Sequence, residues 1–425
     1  MTPDDVVRTL QQGDRDAALR ALRFALEYPR DPGPIGPWCE ALAVVARAFR
    51  DEALGTRADA VAIDPADAQA LFDLGWGLVE ARLYGQAATF LACALAARPH
   101  EPAIVLELVS ALEHAGANAA AREVLAAEPE VRAASFTARY LLAFNAVMAG
   151  DLPGARAAAA DLAPAAPEDT VPAERIRDML ARATAVADVT PLDADDLRGW
   201  HYVLTGGLLL HTASHGRDEM HGRYAFVQDT DARCFEDILR LRRLLGFLRV
   251  EPKVLFSLPD RDSAIFATAA AKVLRLPLQP WAEGTRERGV IVAYDLGAAE
   301  PDVRTALLQR RRGQVLWSHT LSWTEPVGVA PEFVGVLHQV NTPPWGPRLV
   351  RNPDSGAVER RPARGGSVDE LAARILASGV EDLPEQAALD ALAQTGDISA
   401  AAWRKSTGKR DPLWFMGPVK SGRFY

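Results

Sequence analysis

The spacing between two prolines, Pro65 and Pro99, most constrains what this chain can fold into, because 34 residues separate them. Residues 66–99 between them are typical of two short helices with a turn near Arg82–Leu83. Apolar and small residues recur at helical spacing on both halves: Leu71, Leu74, Gly75 and Leu78, then Ala87, Leu91 and Ala94. A helix pair of this size cannot bury its apolar face alone. It must therefore stack on neighbouring pairs.

The neighbouring segments repeat this pattern. Residues 102–129 and 138–167 carry it in register, residues 38–65 carry a looser copy, and the first residues resemble a helical hairpin or a cap. The recurring positions are Trp38, Ala41, Ala53 and Pro65, then Leu108, Leu112, Gly116, Ala121, Leu125 and Pro129, then Leu142, Ala146, Gly150, Ala155, Leu162 and Pro167. Small residues at these positions let crossing helices approach closely.

The pattern over about the first 170 residues resembles the tetratricopeptide-repeat family. That resemblance implies a helical solenoid whose groove binds another protein or a peptide. The candidate groove residues are Trp76, Glu80, Tyr140 and Asn145, although a core position suits Trp76 equally well.

Composition limits the classes of partner. A formal net charge of −9 argues against nucleic-acid binding through a basic face. No apolar run reaches the ~20 residues that span a bilayer, so we expect no membrane partner. Three cysteines without a close pair, and an acidic N-terminus without a signal-peptide core, predict a cytoplasmic protein.

The domain organisation follows from changes in composition. We predict helical repeats over 1–170, a capping helix and linker over 171–198, and an α/β domain over 199–425. The last segment alternates apolar strand candidates with helix candidates. Continuous apolar strands indicate a mostly parallel sheet. The predicted strands are Tyr202–His211, Val254–Leu258, Leu278–Trp281, Val290–Tyr294, Val315–His319 and Phe333–Val340, and the predicted helices are Cys234–Leu248, Ser263–Leu274, Pro301–Arg312, Val368–Leu376 and Glu385–Gln394.

Two strand–helix units, 253–278 and 289–317, are faintly similar to the core of type I phosphoribosyltransferases. In that family the second strand leads into a loop with two acidic residues, then Thr and Gly, which cradles a 5′-phosphate. The matching stretch here is 293–300, in which Tyr294 replaces one acid and the Thr-Thr-Gly cradle is missing. The resemblance implies an α/β fold, and it places ordinary transferase activity in doubt.

Polar residues follow several predicted strands. Asp260, Ser263, Asp295 and His319 are the catalytic candidates, and Trp323 is a binding candidate, because ligands gather at the carboxyl ends of parallel strands. Ordinary turn and capping chemistry accounts for the same residue types.

A second cluster comprises His211, His215 and His221, with Asp229, Asp231 and Cys234 after it. The histidines are weak metal-ligand candidates, but Gly216 and Gly222 indicate a loop and no paired-ligand motif supports a site. We therefore expect no metal and no cofactor.

These observations predict a multidomain protein, an all-α tetratricopeptide-like solenoid followed by an α/β domain. The favoured function is a protein- or peptide-binding scaffold or adaptor, with an α/β module of unknown activity that could take a small anionic ligand. One alternative is an enzyme that transfers a nucleotide or sugar phosphate at the carboxyl edge of the sheet. Another is a metal-dependent enzyme that uses the loop over 211–234.

Overall fold

The computed structural model describes residues 2–213, 220–248, 250–311, 313–325, 327–353, 355–379, 383, 385–395 and 417–421. The chain divides into two compact units, Met1–Ile176 and Arg177–Tyr425. No helix among these described residues is long and apolar enough to cross a membrane.

The first unit is entirely helical. Helix α12 begins within it and continues into the second unit. The helices are α1 (Pro3–Gln11), α2 (Arg15–Ala25), α3 (Ile35–Ala48), α4 (Glu52–Ile63), α5 (Ala68–Glu80), α6 (Tyr84–Ala97), α7 (Pro102–His114), α8 (Asn118–Ala127), α9 (Pro129–Ala134), α10 (Phe136–Met148), α11 (Leu152–Ala160) and α12 (Thr170–Ala185).

These helices form successive packed pairs, α3 with α4, α5 with α6, α7 with α8, and α10 with α11. Local sequence sets several helix starts, since Asp51, Asp67 and Asp151 each accept a hydrogen bond from a backbone N–H of the turn that follows. The short helix α9 lies between the third and fourth pairs and breaks the strict period. The unit is a tetratricopeptide-like array.

Close approach within the second pair depends on a missing side chain. A Cβ atom at Gly75 would lie 2.6 Å from Cγ of Leu91, so α5 and α6 can pack at this distance only if residue 75 is glycine. Ala87, Leu91 and Ala94 on the α6 face are completely buried. The small residues thus lie at a helix crossing.

The second unit contains one large sheet in which every recorded strand pair is parallel. The strand order is β1-β7-β6-β5-β3-β4, and β2 also pairs with β7. The strands are β1 (Leu208–Leu209), β2 (Tyr224–Gln228), β3 (Leu255–Ser257), β4 (Leu278–Pro280), β5 (Gly289–Asp295), β6 (Gln314–Ser322) and β7 (Phe333–Thr342). A separate antiparallel pair consists of β8 (Arg348–Arg351) and β9 (Val358–Arg361).

The described helices of this unit are α13 (Leu197–Thr205), α14 (Asp231–Phe247), α15 (Arg261–Leu274), α16 (Pro301–Leu307), α17 (Val368–Ala377) and α18 (Gln386–Thr395). Helix α15 packs on β3 and β5, and α14 packs on α15. The predicted fold class, a helical solenoid followed by an α/β domain with a mostly parallel sheet, is confirmed.

Several predicted element boundaries are wrong. Residues 202–205 of the predicted strand Tyr202–His211 belong instead to the helix α13, which Asp196 caps at its start and Gly206 ends with a φ of 75°. Within the predicted strand, Leu208–Leu209 form strand β1. Seven of the nine residues of this helix are buried, so its apolar run over 202–204 resembles that of a buried strand. The predicted loop over 211–234 contains β2. Strand β6 continues to Ser322, which places His319 inside the strand rather than at its end.

Candidate functional site

The first helices of the array carry an exposed aromatic side chain next to acidic residues. Trp76 on α5 is 40% exposed, and the guanidinium of Arg57 lies 5.0 Å from the centre of its ring. Glu80 lies one turn further along the same helix and is exposed. Helix α5 contacts α7, the first helix of the next pair. Trp76 therefore lies at the surface and not in the core.

Two glutamates on α7 have a raised pKa. Burial raises the pKa of Glu107, and the neighbouring Glu80 raises it further. Burial also raises the pKa of Glu113, although Asn145 donates a hydrogen bond to its carboxylate. Among the described residues no side chain forms an ion pair with Glu80 or Glu107. The charge of Glu80 thus acts on Glu107, and His114 offsets this effect only in part.

The other two predicted groove residues already have partners in this unit. Asn145 is completely buried; its amide donates to Glu113 and to the carbonyl of Leu141, and it accepts from Asn118. The hydroxyl of Tyr140 lies 2.7 Å from Nη1 of Arg175, from which it accepts a hydrogen bond. A contact between Asn145 and a peptide would require this buried network to open.

The carboxyl edge of the sheet brings several predicted catalytic residues near one another, but local bonds engage them. Asp260 accepts a hydrogen bond from the N–H of Ser263 and caps α15. The hydroxyl of Ser263 accepts from the N–H of Tyr294. Asp295 accepts from the N–H of Gly297, and its other oxygen lies 3.2 Å from Nε2 of His338. These contacts are those expected of caps and turns.

His319 does not join this group at the edge. Asp295 is paired with Thr320 across β5 and β6, so side-chain alternation along a strand directs Asp295 and His319 to opposite faces. Trp323 is also away from a surface crevice: it is buried, and its Nε1 donates a hydrogen bond to the carbonyl of Tyr224. The structure thus places His319 apart from Asp295, on the other face of the sheet.

The histidines of the predicted 211–221 cluster do not share a site. His221 pairs with Asp195, at 2.7 Å between Nδ1 and Oδ1. His211 turns to a different carboxylate, with its Nε2 2.7 Å from Oδ1 of Asp237. His215 lies outside the described residues. The two described histidines therefore contact different carboxylates.

A buried polar cluster forms around His319 instead. Its Nδ1 lies 2.6 Å from Oδ2 of Asp237, and its Nε2 lies 2.9 Å from Oδ2 of Asp229 and 3.5 Å from Sγ of Cys234. Sγ of Cys234 lies 3.3 Å from the same oxygen of Asp229, and the hydroxyl of Tyr294 donates to that oxygen at 2.8 Å. All five side chains are buried, and four of them have no exposed surface.

Local structure explains how these groups meet. Asp229 follows β2 directly, and Thr230 caps the start of α14 by accepting from the N–H of Arg233. Cys234 and Asp237 are three residues apart on this helix, so they share the face turned to the sheet. His319 reaches them from β6. The ring of Phe266 lies 4.6 Å from the His319 ring and covers it.

The charges in the cluster shift each other's titration. Burial lowers the pKa of His319, but the carboxylates of Asp229 and Asp237 outweigh burial and raise it well above its usual range. Burial raises the pKa of Asp237, but His211 and His319 bring it well below its usual range. Burial raises the pKa of the Cys234 thiol, which keeps it protonated at neutral pH. A fully buried thiol in this state is a poor nucleophile.

Sequence reasoning identified Asp229, Cys234 and His319 but did not join them. It missed Asp237 and gave Tyr294 no part in the cluster. It also missed Gly335 on β7, whose lack of a Cβ leaves room for Oδ2 of Asp237. A lone glycine inside an apolar strand run is a usable signal of such a close approach. The cluster can hold a proton or a cation in a closed site. Its members have almost no surface for contact with a substrate.

Comparisons with known proteins add little to this picture. No family model and no curated protein matches the chain. Matching solved structures include a MamA RS-1 ArsTM double mutant and MamA from residue 41 onward of Desulfovibrio magneticus RS-1. Each is 20% identical to this chain, with a TM-score of 0.24. The alignment covers 41% of this chain and 91% of the first structure or 92% of the second. A likeness at this TM-score adds nothing to the description of the fold, which is defined by the helix pairs of this chain.

Proposed function

We propose that the helical array is a protein-interaction module that binds a basic segment of another protein. The observation that carries the proposal is the pair Glu80 and Glu107 on the first helices α5 and α7. Burial and the charge of Glu80 raise the pKa of Glu107, while His114 lowers it in part, and no described side chain forms an ion pair with either carboxylate. A lysine or arginine placed between them would relieve this repulsion.

The neighbouring aromatic surface supports the same proposal. Trp76 lies one turn from Glu80 and is 40% exposed, which is unusual for a side chain with so large an apolar area. Tryptophan is enriched among the residues that contribute most to protein–protein binding. An exposed tryptophan beside acidic groups can bind the alkyl stem and the charge of a basic side chain together.

The enzymatic alternatives gain no such support. Asp260, Ser263 and Asp295 are engaged in capping and turn hydrogen bonds, and His319 lies in a closed cluster. The described histidines 211 and 221 bind separate carboxylates. The repeat array is therefore the part of the chain to which we assign a function.

An unbiased selection tests the proposal. A random-peptide display library is selected on the full chain, and the recovered peptides are titrated by fluorescence anisotropy. We expect enrichment of lysine and arginine, and a loss of affinity of about 10-fold, or ~1.4 kcal/mol, in the variants Glu107→Gln and Trp76→Ala. Glu123→Gln, an exposed substitution of the same kind on the second helix α8, is the matched control and should bind normally.

Two outcomes would contradict the proposal. One is recovery of peptides without basic enrichment. The other is binding that Glu107→Gln and Glu123→Gln leave equally unchanged, which would place the peptide on another face of the chain. Far-ultraviolet circular dichroism of each variant confirms that a loss of binding does not come from unfolding.

A further inference from the structure

We infer that Asp229, Cys234 and His319 form a binding site for a divalent transition-metal ion, of which zinc fits best. One ligand atom from each, a carboxylate oxygen, a thiol sulfur and an imidazole nitrogen, lies within 4.8 Å of the other two. This mixture of hard and soft donors suits zinc and does not suit magnesium or calcium, which prefer oxygen alone.

The distances between the donor atoms fit a tetrahedral ion. Zinc bonds of about 2.0–2.3 Å place neighbouring ligand atoms roughly 3.3–3.7 Å apart. The sulfur lies 3.3 Å from Oδ2 of Asp229 and 3.5 Å from Nε2 of His319. The third separation, 2.9 Å between His319 and Asp229, needs to open by only a few tenths of an ångström. Side-chain rotation alone can supply that change.

A supporting residue orients the imidazole. Nδ1 of His319 lies 2.6 Å from Oδ2 of Asp237, so the N–H on this side of the ring is committed to that carboxylate. Nε2 is thereby directed toward Asp229 and Cys234. A carboxylate–histidine pair of this kind holds metal-binding histidines in place and makes them more basic.

The carboxylate of Asp229 also has one oxygen without a hydrogen-bond partner. Oδ1 of Asp229 is buried and has no hydrogen-bond partner among the described residues, and its nearest cation, Nη1 of Arg233, is 3.6 Å away. Oδ2 of the same carboxylate meets the hydroxyl of Tyr294 at 2.8 Å, which places a further oxygen donor beside the three ligands. A buried carboxylate with an unused oxygen is costly unless an ion shares it.

Metal binding releases protons. Cys234 binds as the thiolate and His319 binds through a deprotonated Nε2, so the proton on Sγ and any proton on Nε2 leave to solvent as the divalent ion enters.

The closed surroundings indicate a structural ion rather than a catalytic one. All three ligands are completely buried, whereas a catalytic zinc keeps an open position. The ion would cross-link α14 to β6, whose ligands Cys234 and His319 are 85 residues apart in the chain. The prediction of no metal considered the histidines at 211–221 as the candidate ligands. These histidines are not ligands in this proposal.

Metal content and spectroscopy of the untagged full chain test the site. After growth in zinc-supplemented medium, we expect one zinc per chain by elemental analysis, with at least a 10-fold reduction in Cys234→Ser and Asp229→Asn. Cys93→Ser is the matched control and should retain the metal. After growth in cobalt-supplemented medium, the wild type should show a thiolate-to-cobalt absorption band that Cys234→Ser lacks.

A further variant, in which all three proposed ligands are retained, tests the site even if the ligand variants fail to fold. The double variant Cys39→Ala, Cys93→Ala leaves Cys234 as the only thiol, and it should still show the cobalt band. Absence of the band there, a metal content well below one per chain in the wild type, or full retention of metal in folded Cys234→Ser would each overturn the site.

Discussion

Gly335 on β7 leaves the space that the carboxylate of Asp237 occupies. A Cβ atom at residue 335 would overlap Oδ2 of Asp237 and the carbonyl oxygen of His319. The absence of one methyl group thus allows a buried acid of α14 to reach the histidine in the centre of the sheet. The polar cluster around His319 therefore requires glycine at residue 335 as well as its own polar side chains.

The first prediction concerns this space. Gly335→Ala should lower the free energy of unfolding by about 3 kcal/mol or more, because it overpacks the strand and displaces a buried ion-pair partner. Gly365→Ala is the control in the same unit, where a new Cβ meets no atom within 4 Å, and it should change stability by less than about 0.5 kcal/mol. Urea denaturation of both variants measures the difference. Equal midpoints would show that β7 and α14 are not packed as described.

The second prediction concerns the crossing of α5 and α6. Gly75→Ala should destabilise the chain by about 1–3 kcal/mol, since its Cβ would lie 2.6 Å from Cγ of the completely buried Leu91. Gly246→Ala, at an exposed helical position with no atom within 4 Å of the new Cβ, should be neutral or stabilise by up to about 1 kcal/mol. Opposite signs in thermal denaturation are expected. A stabilising Gly75→Ala would contradict the repeat register.

The third prediction concerns a buried ion pair. Arg310 is buried, and its Nη2 lies 3.3 Å from Oε1 of Glu332, whose other oxygen accepts a hydrogen bond from the N–H of Leu316. Glu332→Ala should cost about 3–5 kcal/mol because it removes the carboxylate that pairs with a buried guanidinium. Lys272→Ala, which removes an exposed pair with Asp369 at 3.7 Å, should cost no more than about 1 kcal/mol. Similar unfolding midpoints for the two variants would rule out the buried pair.

The fourth prediction concerns pH. Burial raises the pKa of Glu113, so the folded chain holds this proton more tightly than the unfolded chain does. The stability linked to this proton is present in full below the unfolded value of 4.5 and is lost as pH rises through the raised folded pKa. Glu113→Gln keeps an oxygen that accepts from Asn145 and removes the charge. We therefore expect it to raise the urea midpoint at pH 7.

This gain should shrink as the pH falls toward 4.5, where the wild-type carboxyl is itself protonated in the folded state. Glu174→Gln, an exposed substitution on α12, should show no such pH-dependent gain. A midpoint that falls in Glu113→Gln at pH 7 would mean that the charged carboxylate stabilises the array, contrary to this assignment.

Much of the fold follows from local pattern. The recurrence of small residues predicts the helix pairs because close helix crossings need glycine or alanine at defined positions such as Gly75. The apolar runs before Asp260 and Asp295 predict buried parallel strands. Helix α13 could not be predicted in this way, since its apolar run over 202–204 is as typical of a buried strand as of a buried helix. Strand β2 lies in a stretch with glycine and histidine, where turn-forming residues hide its apolar positions.

The sequence by itself determined the helical array and the parallel sheet, since each rests on residue spacing within a short segment. Only the tertiary structure decided which polar groups meet. Asp229 and Cys234 are close to the 211–221 histidines in sequence, yet their partner is His319, brought to them by the packing of α14 on the sheet. Contacts between distant segments depend on strand order, helix packing and a gap such as Gly335, and no local pattern encodes these.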